Sequence, residues 1–196
     1  MTDKQRRRKG DLAPNPRMWQ ALKEGAGLNE ILYDFYERVY KDPKLAYFFD
    51  DVTQERAIEK QYNFLMEVFT GERVYFGERP RNAHHWMVIS NELFDYREEL
   101  MESCLRRYGL PADLIKEWRA MEEIFRKQIV KSVAKPKKLH GMEVPLEGYE
   151  SLELTAGSLC DGCQEEMPIG ATCHYHVRTG RSYCENCSPD ILQDTA

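Results

Sequence analysis

No run of this chain is long and apolar enough to span a bilayer as a helix; 42% of its 196 residues are hydrophobic and 31% charged. Excess positive charge is also missing. With 28 Lys and Arg against 33 Asp and Glu, the net charge is -5, which excludes bulk electrostatic attraction to nucleic acid or an anionic membrane. The basic start (Lys4, Arg6, Arg7, Arg8, Lys9) runs into Gly10-Asp11-Leu12-Ala13-Pro14 with no apolar stretch behind it. It therefore lacks the features of a secretion leader, and a cytoplasmic location is expected. No flavin- or nicotinamide-binding motif, internal repeat or alternating strand pattern interrupts residues 18–133. Cysteine is scarce until late: Cys104 stands alone, most simply a small buried hydrophobe, and the other five lie between 160 and 187.

What is present divides into four stretches. Residues 1–17 read as a basic flexible tail with Pro14 and Pro16. Residues 18–133 read as helical throughout. Leu28, Ile31, Leu32, Phe35 and Val39 recur at helical spacing, as do Ala57, Ile58, Gln61, Phe64, Leu65 and Val68. Asp42-Pro43 opens a short helix ending in Phe48-Phe49, and Gly71 and Gly77 bracket a loop. Ser90 caps a helix facing Phe94, Met101, Cys104, Leu105 and Tyr108 inward. Gly109 stops it, and Pro111 opens a last helix with Leu114, Trp118, Met121 and Phe125 inward. Residues 134–158, with Pro136, Gly141, Pro145, Gly148 and Gly157, read as a linker. Residues 159–196 form a small cysteine-bearing domain with one strand-like run, Thr172 to Arg178. The fold class expected is all-α with that small C-terminal appendage.

Within the helical part an ordered series of motifs carries chemistry: Phe35-Tyr36-Glu37-Arg38-Val39, Asp42-Pro43, Phe48-Phe49, Gln61-x-x-Phe64, Gly71-x-x-x-Tyr75-x-Gly77, Ala83-His84-x-x-Met87-x-Ile89-x-x-x-x-Phe94, and Gly109-Leu110-Pro111. Over residues 18–133 this series resembles the truncated haemoglobins. The resemblance implies a shortened globin, helices packed two over two around haem b, with His84 as the proximal iron ligand. It implies distal hydrogen-bond donors at Tyr36 and Gln61. Phe49 matches the aromatic against the haem face, with Phe64 also in the cofactor-binding set. Lys60 matches a position within reach of a propionate, and Ala57 falls at the distal gate, so no histidine guards the pocket. The chain departs from the family at Thr70-Gly71, where two glycines are frequent, and at His85-Trp86. Trp86 would crowd the proximal side, and His85 is an alternative ligand.

The tail makes a different case. Cys160-Asp161-Gly162-Cys163 and Cys184-Glu185-Asn186-Cys187 offer four thiolates to one tetrahedral ion, and in a reducing compartment such pairs favour metal over disulfides. Zn2+ is the metal expected, in a segment that resembles a treble-clef zinc finger. Iron is the alternative, weighed down by Gln164 and Ser188 standing where rubredoxin-like knuckles carry glycine. On the strand-like run, His174 and His176 share one face and Cys173 takes the other.

The function expected is binding of a diatomic gas, oxygen above all, extending to nitric oxide dioxygenation, with an external reductase and a protein or nucleic-acid partner for the zinc domain. A haem-based gas or redox sensor signalling through that domain is the rival reading. Electron transfer through four-thiolate iron is a third.

Overall fold

The computed structural model describes residues 12–75, 77–139, 141–144, 146, 148–155, 157–178 and 181–188. The basic run at 4–9 lies outside the described residues, as does Pro189-Asp190-Ile191-Leu192, where the sequence can begin a short helix. The chain divides into two compact units. One takes the chain up to Arg81 and then Ile89–Ser132; the other takes Asn82–Val88 and the chain from Val133 on.

The first unit is helical. Helix α1 (Pro16–Ala21) begins inside the stretch expected as tail, because Asn15 caps it: its side-chain oxygen accepts from the Met18 amide at 3.0 Å and Pro16 sits in the first turn. Helix α2 (Ala26–Val39) follows Gly25, which has φ +105 and lies so close to Tyr62 that an added Cβ would fall 2.1 Å from its hydroxyl oxygen. Only glycine tolerates both conditions. After Asp42, whose carboxylate accepts from the Lys44 and Leu45 amides, a 3-10 turn (Ala46–Phe49) completes the short helix expected there. Helix α3 (Gln54–Thr70) is capped by Thr53 and ends at Gly71, in the left-handed region at φ +77. The short α4 (Pro80–Ala83) precedes α5 (Asn91–Tyr108), capped by Ser90, and α6 (Ala112–Ile129).

The apolar stripes of these helices meet in one core. Leu22, Leu28, Leu32, Met101, Leu105 and Trp118 are wholly buried, each contributing about 1.5–3 kcal/mol of transfer free energy if it matches an ordinary large side chain. Charged residues share that interior. Glu98 and Glu122 are buried, and Arg97 pairs with Glu122 while its guanidinium lies 4.8 Å from the Phe35 ring centroid. Arg119 bridges Glu98 and Glu102.

The second unit is built from short strands. β1 (Lys137–Leu139) pairs with β2 (Met142–Val144), and β4 (Ser158–Leu159) with β5 (Glu166–Met167). β3 (Tyr149–Glu153), β6 (Thr172–His176) and β7 (Ser182–Cys184) form an antiparallel sheet in the order β3-β6-β7. The stretch 134–158 is therefore not a bare linker: β3 is an edge strand of the sheet, registered Leu152 to Cys173. Sequence gives it no voice because its ladder partner lies about twenty residues on and its residues are mostly exposed. The all-α expectation fits the first unit; strands belong to the second.

Candidate functional site

The residues singled out from the sequence fall into three groups. The first lies on α2 and α3. Tyr36 is buried, and its ring meets Phe35 at 5.2 Å, Tyr40 at 6.3 Å and Phe49 at 5.7 Å, all edge-on. Its hydroxyl donates to Gln61 Oε1 over 3.4 Å, a long contact. Because that oxygen accepts, the carboxamide nitrogen of Gln61 remains a donor. Burial drives the Tyr36 phenol up to about 12, against an opposing pull from Arg97, so it keeps its proton at neutral pH. Phe64 meets Tyr75 at 5.4 Å and Phe125 at 5.6 Å, extending the aromatic wall along α3. Ala57 is buried on the same helix, whereas Lys60 is exposed.

Sequence reasoning passed over Arg97, although a signal was there. Arg97 and Glu98 stand three and four residues after Phe94 and four and three before Met101, on the stripe that faces inward. Burial penalises the guanidinium charge, but Glu122 outweighs it and raises the Arg97 pKa, so a fixed cation acts electrostatically on the Tyr36 phenol.

The second group belongs to the other unit. His84 is half-buried in the turn after α4, its carbonyl accepting from the Met87 amide at 3.1 Å. His85 is buried, with Nδ1 3.2 Å from the Lys135 carbonyl, and the Lys135 amide donates to the His85 carbonyl at 2.9 Å. Asn82 donates to the Lys138 carbonyl at 2.9 Å and accepts from the Lys138 amide at 3.4 Å. The Arg178 guanidinium lies 4.9 Å from the Trp86 ring centroid. These contacts explain why residues 82–88 group with the chain after 133.

The third group is the cysteines. The sulfurs of Cys160, Cys163, Cys184 and Cys187 all lie within 4.8 Å of one another. Thiolates around one zinc stand about 3.8 Å apart, the edge of a tetrahedron with ~2.3 Å bonds, and Cys163 and Cys184 are already 3.9 Å apart. Within the cluster the thiols share protons unequally. Burial acts to raise the Cys160 thiol, but amides of Cys163, Cys184 and Gly162 outweigh it and bring it down to about 6, while Cys187, donating to Cys184 and Cys160, is pushed up to about 12. The Gly162 and Cys184 amides reach Cys160 Sγ at 3.4 Å. Cys173 is buried beside this cluster but is not part of it, and Ser151 Oγ holds His174 Nδ1 at 2.8 Å. Gln164, read as a departure from rubredoxin-like knuckles, adopts φ +63 and so takes the backbone conformation glycine favours. At this position the missing glycine is thus a substitution on the same backbone, whereas Ser188 takes no left-handed conformation and keeps the departure from rubredoxin-like knuckles.

With that geometry in view, the comparisons settle the class. The family model for Bacterial-like globin matches residues 18–131, and the chain belongs to that family. The Group 1 truncated hemoglobin GlbN of Synechocystis sp. is 36% identical over 91 residues, covering 44% of this chain and 73% of that protein. The Group 1 truncated hemoglobin of Tetrahymena thermophila is 26% identical over 112 residues, covering 57% and 93%. Among solved structures, Chlamydomonas reinhardtii THB1 aligns with a TM-score of 0.52 at 27% identity, covering 61% of this chain and 100% of that one. The cysteine-bearing part lies beyond the matched residues. No helix among the described residues is long and apolar enough to cross a membrane.

Proposed function

We propose that this chain is a haem protein that binds a diatomic gas, with oxygen the first candidate, and that its C-terminal unit is a structural zinc domain serving a partner. The observation that carries the reading is the pairing of the buried, protonated Tyr36 phenol with Gln61 within an aromatic wall on the truncated-globin frame. The relatives are named hemoglobins, and the residue types match what haem asks of a protein: an imidazole, flat apolar neighbours and distal donors. Haem b, when bound, supplies an open iron position for the gas. His84 would furnish the iron's nitrogen ligand, Phe49 and Phe64 would supply flat apolar neighbours for the ring, Lys60 a cation for a propionate, and Ala57 a small side chain at the gate. Tyr36 and Gln61 donate to a polar gas ligand and slow its escape. Arg97 adds positive potential beside them, which favours ligands that gain negative charge.

Such a donor pair also suits nitric oxide dioxygenation, in which oxygen and nitric oxide leave together as nitrate. One electron per turnover must then come from a separate reductase. Sensing is the second reading, and one observation favours it: residues 82–88 share a unit with the cysteine tail. His85 is the second choice of ligand, because its Nδ1 lies 3.2 Å from the Lys135 carbonyl, the kind of contact that orients a metal-bound imidazole. The test substitutes each histidine. His84→Ala abolishes stoichiometric haem binding or leaves a haem that free imidazole restores, and His85→Ala keeps it. The reverse pattern moves the ligand to His85.

A further inference from the structure

The seven residues from Asn82 to Val88 are anchored at three points, each to the chain that carries or leads into the four-cysteine cluster. Asn82 exchanges two hydrogen bonds with Lys138, His85 exchanges two contacts with Lys135, and Trp86 stacks under Arg178. These anchors sit two residues before His84, one after it and two after it. Arg178 follows β6 by two residues, and β6 pairs Cys173 opposite Cys184 on β7. Val177, between them, is buried, and its amide donates to the Gly148 carbonyl at 3.1 Å. A short covalent and hydrogen-bonded route therefore runs from the cysteine cluster to the His84 turn without leaving this unit.

We propose that Trp86, Arg178 and His85 are positioning residues for His84, and that metal at Cys160, Cys163, Cys184 and Cys187 sets how firmly that turn is held. Three physical points support this. The tail buries little apolar surface and depends on its ion to fold: among the described residues its central cluster has Cys160, Met167 and Cys173 buried, with Leu154 and Tyr183 partly buried against it. Losing the ion frees β6 and β7, and with them the seat of Arg178. A guanidinium over an indole is directional, so the stack constrains the turn and does more than shield it. An axial imidazole's orientation, in turn, tunes the iron it binds. By reciprocity, ligation at His84 would stiffen the tail's metal site.

The proposal rests on His84 being the proximal ligand only for its haem readout; the anchoring itself is tested without haem. Hydrogen exchange of the 82–88 amides would be followed in the full chain, haem-free, with and without zinc. The iron–histidine stretching band would be recorded in the ferrous haem-loaded chain, with zinc content measured throughout. Arg178→Ala and Arg178→Gln are expected to speed exchange at 82–88 about tenfold, the weight of one strong cation–π contact, and to shift the band while zinc is retained. Arg178→Lys should restore both, since it keeps the cation. Zinc removal should reproduce the Arg178→Ala effect. Unchanged exchange in Arg178→Ala and after zinc removal would overturn the coupling. Faster exchange with an unshifted band in His84-ligated haem would overturn its reach to the iron. A band lost in His85→Ala and kept in His84→Ala would overturn the ligand assignment alone, with exchange still deciding the anchoring.

Discussion

The two units hold themselves together by different means. The helical unit has a core cluster of large side chains, from Met18 and Leu22 to Trp118, packed by amphipathic helices with capped ends. Among the described residues, the C-terminal unit has a small central cluster in which Cys160, Met167 and Cys173 are buried, and short strands mostly open to solvent. Apolar area alone can stabilise the first. The second has less of it, and four sulfurs within 4.8 Å of one another at its centre. Under the proposed zinc reading, one chain carries a packing-driven fold and a coordination-driven fold, each responding to its own perturbation.

The largest expected effect follows from that contrast. Chelation of the metal, or Cys184→Ser, should unfold the C-terminal unit, because structural zinc supplies about 10–16 kcal/mol of folding free energy in small thiolate sites. Helicity of α2, α3, α5 and α6 should survive, with Cys173→Ala leaving metal content unchanged. Far-ultraviolet circular dichroism beside zinc analysis checks both. Helicity lost in step with zinc would mean that the two units share one stabilising source.

A smaller effect sharpens the comparison from the other side. Tyr36→Phe with Gln61→Leu should speed oxygen dissociation, each lost donor removing about 1 kcal/mol or more of ligand stabilisation, or roughly fivefold. Zinc content should not move. The Tyr36 pKa is raised from 10.0 to about 12, so its protonated form contributes stability fully below pH 10 that is lost as pH rises through about 12. Tyr36→Phe should flatten the alkaline limb of a stability profile over that window, checked by denaturant titration. Off-rates unchanged in the double variant would remove Tyr36 and Gln61 from the ligand's surroundings.

How much of this was legible beforehand follows the same division. Helices announce themselves locally, so Leu28 to Val39 and Ala57 to Val68 could be read from spacing, and Ser90 and Gly109 mark the ends of α5 where they fall, whereas the caps at Asn15 and Thr53 were passed over. The cysteine pairs were legible because metal imposes spacing on sequence. Strand β3 was not, since Leu152 finds Cys173 only after a chain reversal that no short-range pattern records. Nor was the Trp86–Arg178 stack, whose partners stand 92 residues apart. Arg97 and Glu122 sat in plain view on inward stripes, but a charged residue at a core position reads as surface until its partner is seen.

The central claim is that a haem globin and a four-thiolate zinc site coexist in one chain. The most direct measurement is a visible absorption spectrum of the purified full-length protein, taken with iron and zinc analysis. The account predicts a haem Soret band, about one iron per chain accounted for as haem, and about one zinc. A protein without a Soret band after haem addition, or one whose haem-free form holds stoichiometric iron with thiolate-to-iron absorption, would contradict it.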